Sequence, residues 1–428
     1  IKVSPFEYAD KSQMKDYVLE EITARYPAET ETTEGDMSWQ EFMELGRNFK
    51  GEYLAPVDPD RAVFGAYTSG STGISKLVIH SSANIVATAY QMSIFIPPSD
   101  VQEVWWTPIL PPALIAVTVS MTIFPLSTGL MVSLDPFCPL ENIDIEFMDR
   151  KPNFWALIPL YCEMLMSSER IPEDYDMSHL RTIGAGAEAM NDRKYAEVEE
   201  FFHKHNVQAK LSAGYGQSEG CSNFTLPNPM FPLEDGCVGM PMTATVLGVF
   251  DKDLNELNYG ESGELCMTGP SMMLHYSGWR GEELTEQTLV EHPDGNTWLH
   301  TGDEAYITEQ GIVHILGRGE IKAYGDKPLH VMRMETKTVR TPGVKDGFFC
   351  LVPDQEHEGY YRPYLFVILD GTKTLEEVAE LLKDTLEEHE YPVEIKEITE
   401  RPYFHFKTDR KGLTAQILEE LEQAKEEK

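Results

Sequence analysis

The sequence predicts an α/β fold, in which a large N-terminal domain precedes a smaller α+β domain. Three observations predict it. From residue 63, short apolar runs alternate with longer amphipathic segments, a pattern typical of a mixed or mostly parallel sheet covered by helices. After about residue 227 the runs become short and β-rich, which indicates a β-rich subdomain. A chain of 428 residues exceeds one ordinary domain, so we expect a division into residues 1–317 and 318–428.

The first domain begins with a polar stretch that contains two short helical patterns, MKDYVLEEITARY and WQEFMELGRNF. Apolar runs then predict strands at VFGAY, LVIH, EVWWTPIL, GLMVSL, FWALIP, LRTIGAG and AKLSAGYG. Amphipathic runs predict helices between them at ANIVATAYQMSIF, LYCEMLMSS and NDRKYAEVEEFFHKH. The apolar run 113–132 is interrupted by Pro125 and Gly129. We therefore interpret it as a buried helix followed by a strand, since a membrane span needs about 20 unbroken apolar residues.

Shorter β-rich pieces follow at ATVLGVFD, GELCMTG and GIVHILG. In the last hundred residues we expect strands at DGFFCLVP, YLFVILD and EIKEIT. The run TLEEVAELLKDTLEEH begins with a capping box from Thr374 to Glu377 and places Leu375, Val378 and Leu382 on one face, which predicts an amphipathic helix. The acidic end LEELEQAKEEK is typical of a solvated helix end.

Composition limits the classes of partner. With 71 acidic and 35 basic residues the formal charge is −36, which argues against nucleic acid and anionic membranes and favours a cytoplasmic protein. Six scattered cysteines without a CxxC motif predict reduced, buried thiols rather than disulfides or a zinc site. No run predicts an integral membrane segment, and an oligomer stays open. Because the chain begins with Ile1 instead of Met, we expect a fragment or a trimmed chain.

The run TSGSTG lies between the expected strands VFGAY and LVIH. Successive glycines and hydroxyl residues after a strand let backbone N–H groups point inward together, which suits a phosphate; a tight Gly/Ser turn is the plainer interpretation. The spacing excludes a Walker A loop, because Gly73 is followed by Ile-Ser-Lys and not directly by Lys.

Four further stretches favour the phosphate interpretation. YGQSEG places an aromatic ring, Tyr215, and a carboxylate, Glu219, on one turn, where they suit a nucleobase and Mg²⁺. HTGDEAY holds Asp303, whose two oxygens suit the hydroxyls of a ribose. GRGEIKAYG supplies Arg318 as a ribose or phosphate donor, and FHFKTDRKGL supplies Lys407.

In this order, TSGSTG, YGQSE, TGD, GR with IK, and a C-terminal lysine resemble the motifs of the adenylate-forming superfamily, which contains acyl- and aryl-CoA synthetases, adenylation domains and luciferases. The resemblance covers roughly residues 60–410. VDPDRAVFGAYTSGSTG and GESGELCMTGPSMMLHYSGW resemble stretches of CoA ligases in particular. It implies an AMP-forming acid–thiol ligase that uses ATP, Mg²⁺ and coenzyme A on a small-molecule carboxylate.

The resemblance also implies a role for each motif residue. The β- and γ-phosphates would be held by Thr68, Ser69, Gly70, Ser71, Thr72 and Gly73, with Lys76 nearby. Gly186 and Ala187 would line the adenine, on which Tyr215 would stack, and Gly216 and Ser218 of the same turn would also contact the nucleotide. Glu219 would ligate Mg²⁺, and Asp303 and Arg318 would bind the ribose. Lys407 would bridge the carboxylate and the α-phosphate.

In the superfamily the C-terminal domain is mobile, and by resemblance its hinge here would be Glu320. Three features depart from the pattern. GRGEIK is two residues shorter than usual, Phe406 replaces a Gly, and the phosphate loop comes so early that part of the usual N-terminal subdomain would be missing. The acid itself stays open, although the lack of an Asp between Val104 and Gly129 argues against free α-amino acids. Trp105 and Trp106 are expected in the core rather than in an acyl pocket.

The sequence offers three alternatives to this function. An adenylation domain that loads a carrier protein differs from a CoA ligase only at the thiol-acceptor surface, and an inactive nucleotide-binding fragment is also open. GQSEG matches the GxSxG elbow of serine hydrolases, but CSNFTLPNPMFPL after it has no helical period.

The histidines His80, His275 and His300 are expected to be structural.

Overall fold

The structure, a computed structural model, describes residues 2, 4, 11–26, 32–52, 54, 56–68, 75–96, 101–186, 190–226, 236–318, 322–404 and 407–426. The α-helices are α1 (Asp16–Arg25), α2 (Trp39–Asn48), α3 (Ser82–Ser93), α4 (Ile115–Thr118), α5 (Phe124–Ser127), α6 (Ile143–Arg150), α7 (Pro159–Met166), α8 (Asp192–Lys204), α9 (Gly281–Thr288), α10 (Val331–Val339), α11 (Leu375–Thr385) and α12 (Arg410–Glu426).

The strands of the first half are β1 (Ala62–Tyr67), β2 (Leu77–Ser81), β3 (Val104–Pro108), β4 (Met131–Asp135), β5 (Phe154–Leu157), β6 (Thr182–Ala185), β7 (Leu211–Ala213), β8 (Thr225–Leu226), β9 (Met240–Pro241), β10 (Val246–Phe250) and β11 (Gly263–Thr268). Those of the second half are β12 (His275–Ser277), β13 (Leu289–Glu291), β14 (Thr297–Ile307), β15 (Val313–Arg318), β16 (Ala323–Tyr324), β17 (Lys327–Pro328), β18 (Val344–Pro353), β19 (Tyr361–Leu369), β20 (Ile395–Glu397), β21 (Tyr403–Phe404) and β22 (Lys407–Thr408).

A five-stranded parallel sheet, in the order β4-β3-β5-β6-β7, lies at the centre of the first domain. Trp106 and Trp155 pack on one face against Phe147 of α6, together with α7 and α8. On the other face Trp105 packs against Phe124 of α5 and the neighbouring α3. Strands buried on both faces read as continuous apolar runs, which is why VWWTP and FWAL lack alternation. The predicted helix-covered parallel sheet is confirmed.

The strands VFGAY and LVIH are not part of that sheet, so their placement in it was wrong. They form the antiparallel hairpin β1–β2, and β12 pairs with β2 on its other side to give a separate three-stranded sheet. The physical reason is the length of the connection. Parallel neighbours need a crossover of a dozen or more residues, whereas residues 68–76 can only turn the chain back.

The β-rich subdomain is an antiparallel sheet in the order β10-β11-β14-β13, with β15 paired to the far part of β14. Its core contains Leu265, Met267, Leu299 and Val313, which come from three different strands. The long strand β14 therefore joins the parts of this sheet, and it carries Asp303 near its middle.

In the last part of the chain β18, β19 and β20 form a mixed sheet between helices. Leu365 and Leu382 belong to the core under α10 and α11, whereas Phe366 and Ile417 belong to the core under α12. The predicted capping box is confirmed, because the Thr374 hydroxyl accepts from the N–H of Glu377 and the Glu377 carboxylate accepts in return.

Polar contacts join this part to the preceding one. The Asn191 amide donates to Asp346 over 3.3 Å, and the Tyr403 hydroxyl donates to Glu163 of α7 over 2.8 Å. The division between residues 317 and 318 stays a prediction.

The broken apolar run forms α4, a π-helical turn, α5 and then β4, as the sequence predicted. All six cysteines are buried free thiols, also as predicted. Within the described ranges, no helix combines the length and apolar character that crossing a membrane requires.

Candidate functional site

The turn after β7 follows the carboxyl end of the parallel sheet, where open α/β sheets bind ligands. Two glycines make it possible. A Cβ on Gly216 would lie 1.7 Å from the carbonyl oxygen of Ser222, and one on Gly220 would lie 1.6 Å from Cε1 of Phe224. The chain in YGQSEG thus folds back so closely that a side chain at position 216 or 220 would clash, and only glycine fits at these two positions.

One group of side chains links this turn to β14. The Tyr215 hydroxyl donates to Asp303 Oδ2 over 2.5 Å, and the Gln217 amide donates to the same oxygen over 2.9 Å. Gln217 also donates to the carbonyl of Thr301 over 2.9 Å. Asp303 is buried. Because its Oδ2 already accepts two hydrogen bonds, a ribose that used both oxygens would have to share this atom.

A second group links the turn to the β1–β2 hairpin. The Tyr276 hydroxyl donates to Glu219 Oε1 over 2.6 Å, and the Lys76 ammonium lies 3.3 Å from the same hydroxyl. The ammonium also lies 4.7 Å from the centre of the Tyr276 ring, within the range of a cation–π contact. Burial, and then the charge of Glu219, raise the pKa of Tyr276, so the phenol stays protonated and donates.

Backbone contacts fix these groups in place. His80 Nε2 lies 2.7 Å from the carbonyl oxygen of Ser218, and the N–H of Met273 donates to the carbonyl of Glu219 over 2.8 Å. Since a carbonyl only accepts, His80 Nε2 carries the hydrogen. Burial lowers the pKa of His80, so the ring is neutral. The contact supports the structural role expected of His80.

The predicted phosphate loop is described at its two ends. The N–H of Thr68 donates to the carbonyl of Lys76 over 2.9 Å, and the N–H of Lys76 donates to the Thr68 hydroxyl over 3.1 Å. These bonds close the base of the hairpin loop. Residues 69–73 of TSGSTG lie outside the described residues, and so does Ala187.

Two more of the predicted adenine and ribose residues, Gly186 and Arg318, lie at strand ends. Gly186 directly follows β6, where its N–H donates to the carbonyl of Leu157 over 3.1 Å, and a Cβ there would meet no described atom within 4 Å. Arg318 ends β15 directly opposite Asp303 in the strand ladder. The predicted hinge, Glu320, lies outside the described residues.

Lys407 lies on the hairpin β21–β22, opposite Phe404. That hairpin is docked on α7 through Tyr403, and Arg401 beside it lies 3.8 Å from the same Glu163 carboxylate. The role of Lys407 towards a substrate stays a prediction.

The structure thus brings Asp303 to Tyr215 at one end of this turn, and at the other end Tyr276 links Lys76 to Glu219. Sequence reasoning missed Gln217 and Tyr276. Gln217 lies inside YGQSEG, and Tyr276 lies inside the stretch that resembles CoA ligases, so both residues belong to stretches that carry the resemblance. Their roles depend on contacts across 84 and 57 residues of chain, which spacing alone does not reveal. Trp105 and Trp106 are buried in the core, as expected.

Comparison with known proteins identifies the family. Residues 7–277 match the AMP-binding enzyme family, which is more than half of the chain. The chain belongs to the AMP-binding enzyme family. This result confirms the resemblance to the adenylate-forming superfamily found from the motifs.

Two curated relatives of this chain are CoA ligases. The long-chain-fatty-acid–CoA ligase of Escherichia coli O157:H7 is 27% identical over 320 residues, which cover 72% of this chain and 54% of the ligase. The 4-coumarate–CoA ligase 2 of Nicotiana tabacum is 25% identical over 339 residues, which cover 75% of this chain and 58% of that ligase. The chain therefore spans about half the length of the curated relatives it matches.

A solved structure confirms the fold. The o-succinylbenzoate coenzyme A synthetase of Bacillus subtilis, solved in complex with ATP and magnesium ion, superposes with a TM-score of 0.68 at 20% identity. The match covers 94% of this chain and 78% of that one. The arrangement of parallel and antiparallel sheets is thus that of adenylate-forming enzymes.

Proposed function

We propose that this chain activates a carboxylic acid with ATP. The acid would attack the α-phosphate to form an acyl-adenylate and release pyrophosphate, and the acyl group would then pass to a thiol, coenzyme A. The observation that carries the proposal is the turn Tyr215–Glu219, which is bonded at one end to Asp303 and at the other to Tyr276, whose hydroxyl also contacts Lys76. Membership of the AMP-binding enzyme family supports it.

The two groups of side chains would bind different parts of the nucleotide. Tyr215, Asp303 and Gly186 would hold the nucleoside, because an aromatic face, a carboxylate and an open glycine suit a base and a ribose. The loop 68–76 would hold the phosphates, with the Lys76 ammonium at its end. Tyr276 would keep Lys76 and Glu219 at a fixed separation, since its hydroxyl contacts both.

Mg²⁺ fits Glu219, because this hard cation prefers carboxylate oxygens and phosphates as ligands. When bound there it would offset the charge that builds up as pyrophosphate leaves. That a Bacillus subtilis neighbour of the same fold was solved with ATP and magnesium ion supports this part of the proposal.

The reaction needs charge neutralisation and alignment more than it needs a base. A carboxylate is a poor nucleophile towards an anionic phosphate, so the two must be held in line with their charges offset. Lys407 would supply the positive charge between them, carried on a C-terminal domain that we propose comprises residues 318–428. Substitution of Lys407 should therefore slow adenylation far more than thioester formation.

Coenzyme A is proposed as the thiol because the two curated relatives named above are CoA ligases. A cytoplasmic location is proposed on the same ground, together with the six reduced thiols. The acid is left to experiment, since the described residues single out no acyl pocket.

The test is ATP-dependent hydroxamate formation with hydroxylamine across fatty, aromatic, keto and amino acids. We expect a signal with one class of acid, which Lys407→Ala abolishes and which Lys383→Ala, an exposed lysine of α11, leaves unchanged. Coenzyme A should replace hydroxylamine as acceptor. No hydroxamate with any acid, from protein that binds ATP, would refute the proposed activity.

A further inference from the structure

The β-rich sheet brings one cysteine and two histidines together on a part of the fold that the proposed reaction does not use. Cys266 lies on β11, His300 lies opposite it on β14, and His292 follows β13 in the turn that leads into β14. The sulfur of Cys266 and one ring nitrogen of each histidine all lie within 4.8 Å of one another.

The histidine nitrogens face each other. His292 Nε2 lies 2.8 Å from His300 Nε2, and His300 Nδ1 lies 2.9 Å from Glu264 Oε2. Because an ionised carboxylate only accepts hydrogen bonds, His300 Nδ1 carries the hydrogen, and the Nε2 of a neutral ring keeps its lone pair. In metal sites a ligating histidine donates the N–H of one ring nitrogen to a carboxylate, which fixes the ring orientation, and binds the ion through its other nitrogen. His300 has this arrangement, with Glu264 as the orienting carboxylate.

The cluster lies in a largely buried part of the sheet, which suits a bound ion. Cys266 is fully buried and His292 is 4% exposed. The rings of Phe250 and Trp298 enclose His292, with centroids 4.5 Å and 5.8 Å from its own. Both oxygens of Glu264 are already engaged, one by His300 and the other by the N–H of Gly302 over 2.9 Å. Glu264 is thus an orienting group, and the ligand set consists of sulfur and nitrogen.

We propose that Cys266, His292 and His300 bind a zinc ion, with a water molecule as the fourth ligand. A thiolate and two imidazoles are the ligands that Zn²⁺ takes in proteins, whereas Mg²⁺ and Ca²⁺ prefer oxygen. On binding, the Cys266 S–H bond breaks, a sulfur–zinc bond forms, and the proton leaves to water. The hydrogen that His292 Nε2 donates to His300 moves to His292 Nδ1, so that a lone pair on each Nε2 can face the ion. The site is separate from the Mg²⁺ position proposed at Glu219.

Distances show how far the cluster must adjust. At tetrahedral angles, zinc–sulfur and zinc–nitrogen bonds of about 2.3 Å and 2.0–2.1 Å place a sulfur and a nitrogen about 3.6 Å apart and two nitrogens about 3.3 Å apart. Separations here of up to 4.8 Å must therefore close by about 1.2 Å, and the two Nε2 atoms, which are 2.8 Å apart, must separate by about 0.5 Å. The ion would join β11 to the β13–β14 hairpin. Through Glu264 and Gly302 it would also stiffen the chain next to Asp303.

The experiment uses the full chain, stripped with chelator and titrated with Co²⁺ as a spectroscopic probe. We expect a thiolate-to-cobalt charge-transfer band that saturates at about one equivalent and is bleached by Zn²⁺. Cys266→Ser should lose the band. Cys237→Ser, which removes another buried cysteine of the same region, should keep it.

A second variant separates the metal site from a structural hydrogen-bonded pair. Glu264→Gln keeps all three ligands but weakens the orientation of His300, so we expect cobalt affinity to fall by about 10–100-fold with the band still present at saturation. If wild-type protein gives no charge-transfer band, or if the band survives in Cys266→Ser, the two histidines form only a hydrogen bond and the proposal is overturned.

Discussion

Replacement of Gly216 by alanine tests the geometry of the turn on which the proposed site depends. The new Cβ would lie 1.7 Å from the Ser222 carbonyl oxygen, against the 3.0 Å below which real Cβ contacts essentially do not occur. The backbone at residue 216 and the backbone at Ser222 must therefore move apart by at least 1.3 Å. Ser222 is held in place, because its N–H donates to the carbonyl of Gln217 and the N–H groups of Phe224 and Thr225 donate to the carbonyl of Tyr215.

The cost combines overpacking with lost hydrogen bonds. Overpacking of a close contact costs about 1–3 kcal/mol, and each broken hydrogen bond adds about 0.5–1.5 kcal/mol, so we expect Gly216→Ala to lose about 3 kcal/mol of unfolding free energy. It should also lose ATP affinity, because Tyr215 and Gln217 would no longer meet Asp303. Urea denaturation and calorimetric titration with ATP measure the two effects.

Gly184→Ala is the matched control. It lies within β6, where a Cβ meets no described atom within 4 Å, so we expect a change below about 0.5 kcal/mol and unchanged ATP affinity. If Gly216→Ala were as stable as this control and bound ATP as well as the wild type, the close approach of the chain in YGQSEG would not be a requirement of the site.

Three further predictions concern single side chains. Tyr276→Phe removes the donor to Glu219 and should cost about 1–3 kcal/mol in urea denaturation and weaken MgATP binding; equal values for both proteins would contradict the role of the hydroxyl. Because burial lowers the pKa of His80 in the folded state, the unfolded chain binds more protons, and stability should fall as pH drops below about 6.5, by up to about 1.4 kcal/mol per pH unit. His80→Gln should reduce that slope below about pH 6.5, and an unaltered slope would assign it to other groups. Thr374→Ala removes the N-cap side chain of α11 and should lower the unfolding free energy of the protein by about 1 kcal/mol. The thermal midpoint of unfolding measures this loss, and Thr372→Ala, at an exposed position, is the control.

Much of the fold could be predicted because it depends on local patterns. Continuous apolar runs such as FWAL identified buried parallel strands, and the Thr374–Glu377 capping box located the start of α11. The sheet to which VFGAY belongs was predicted wrongly, because such an apolar run is compatible with a parallel sheet and with a hairpin. Only the short connection 68–76 distinguishes the two, and that information was available in the sequence.

The candidate site was predicted one residue at a time but not as a network. Tyr215, Glu219 and Asp303 belong to recognisable motifs, whereas Tyr276 and Gln217 have ordinary neighbours in sequence and gain their roles from contacts made across the fold. The Cys266, His292 and His300 cluster was missed for the same reason. Its ligands come from two strands, β11 and β14, and from the turn between β13 and β14, so no short spacing in the sequence indicates them.

The central claim is that a carboxylate oxygen attacks the α-phosphate of ATP. The most direct measurement uses the acid that gives hydroxamate, labelled with heavy oxygen in its carboxylate, followed by mass spectrometry of the nucleotide released after transfer to coenzyme A. The account predicts AMP that carries one heavy oxygen, with unlabelled pyrophosphate, and no labelled AMP from Lys407→Ala on the same timescale. Unlabelled AMP, or ADP as the product, would contradict it, because water or a terminal phosphate would then be the reacting partner.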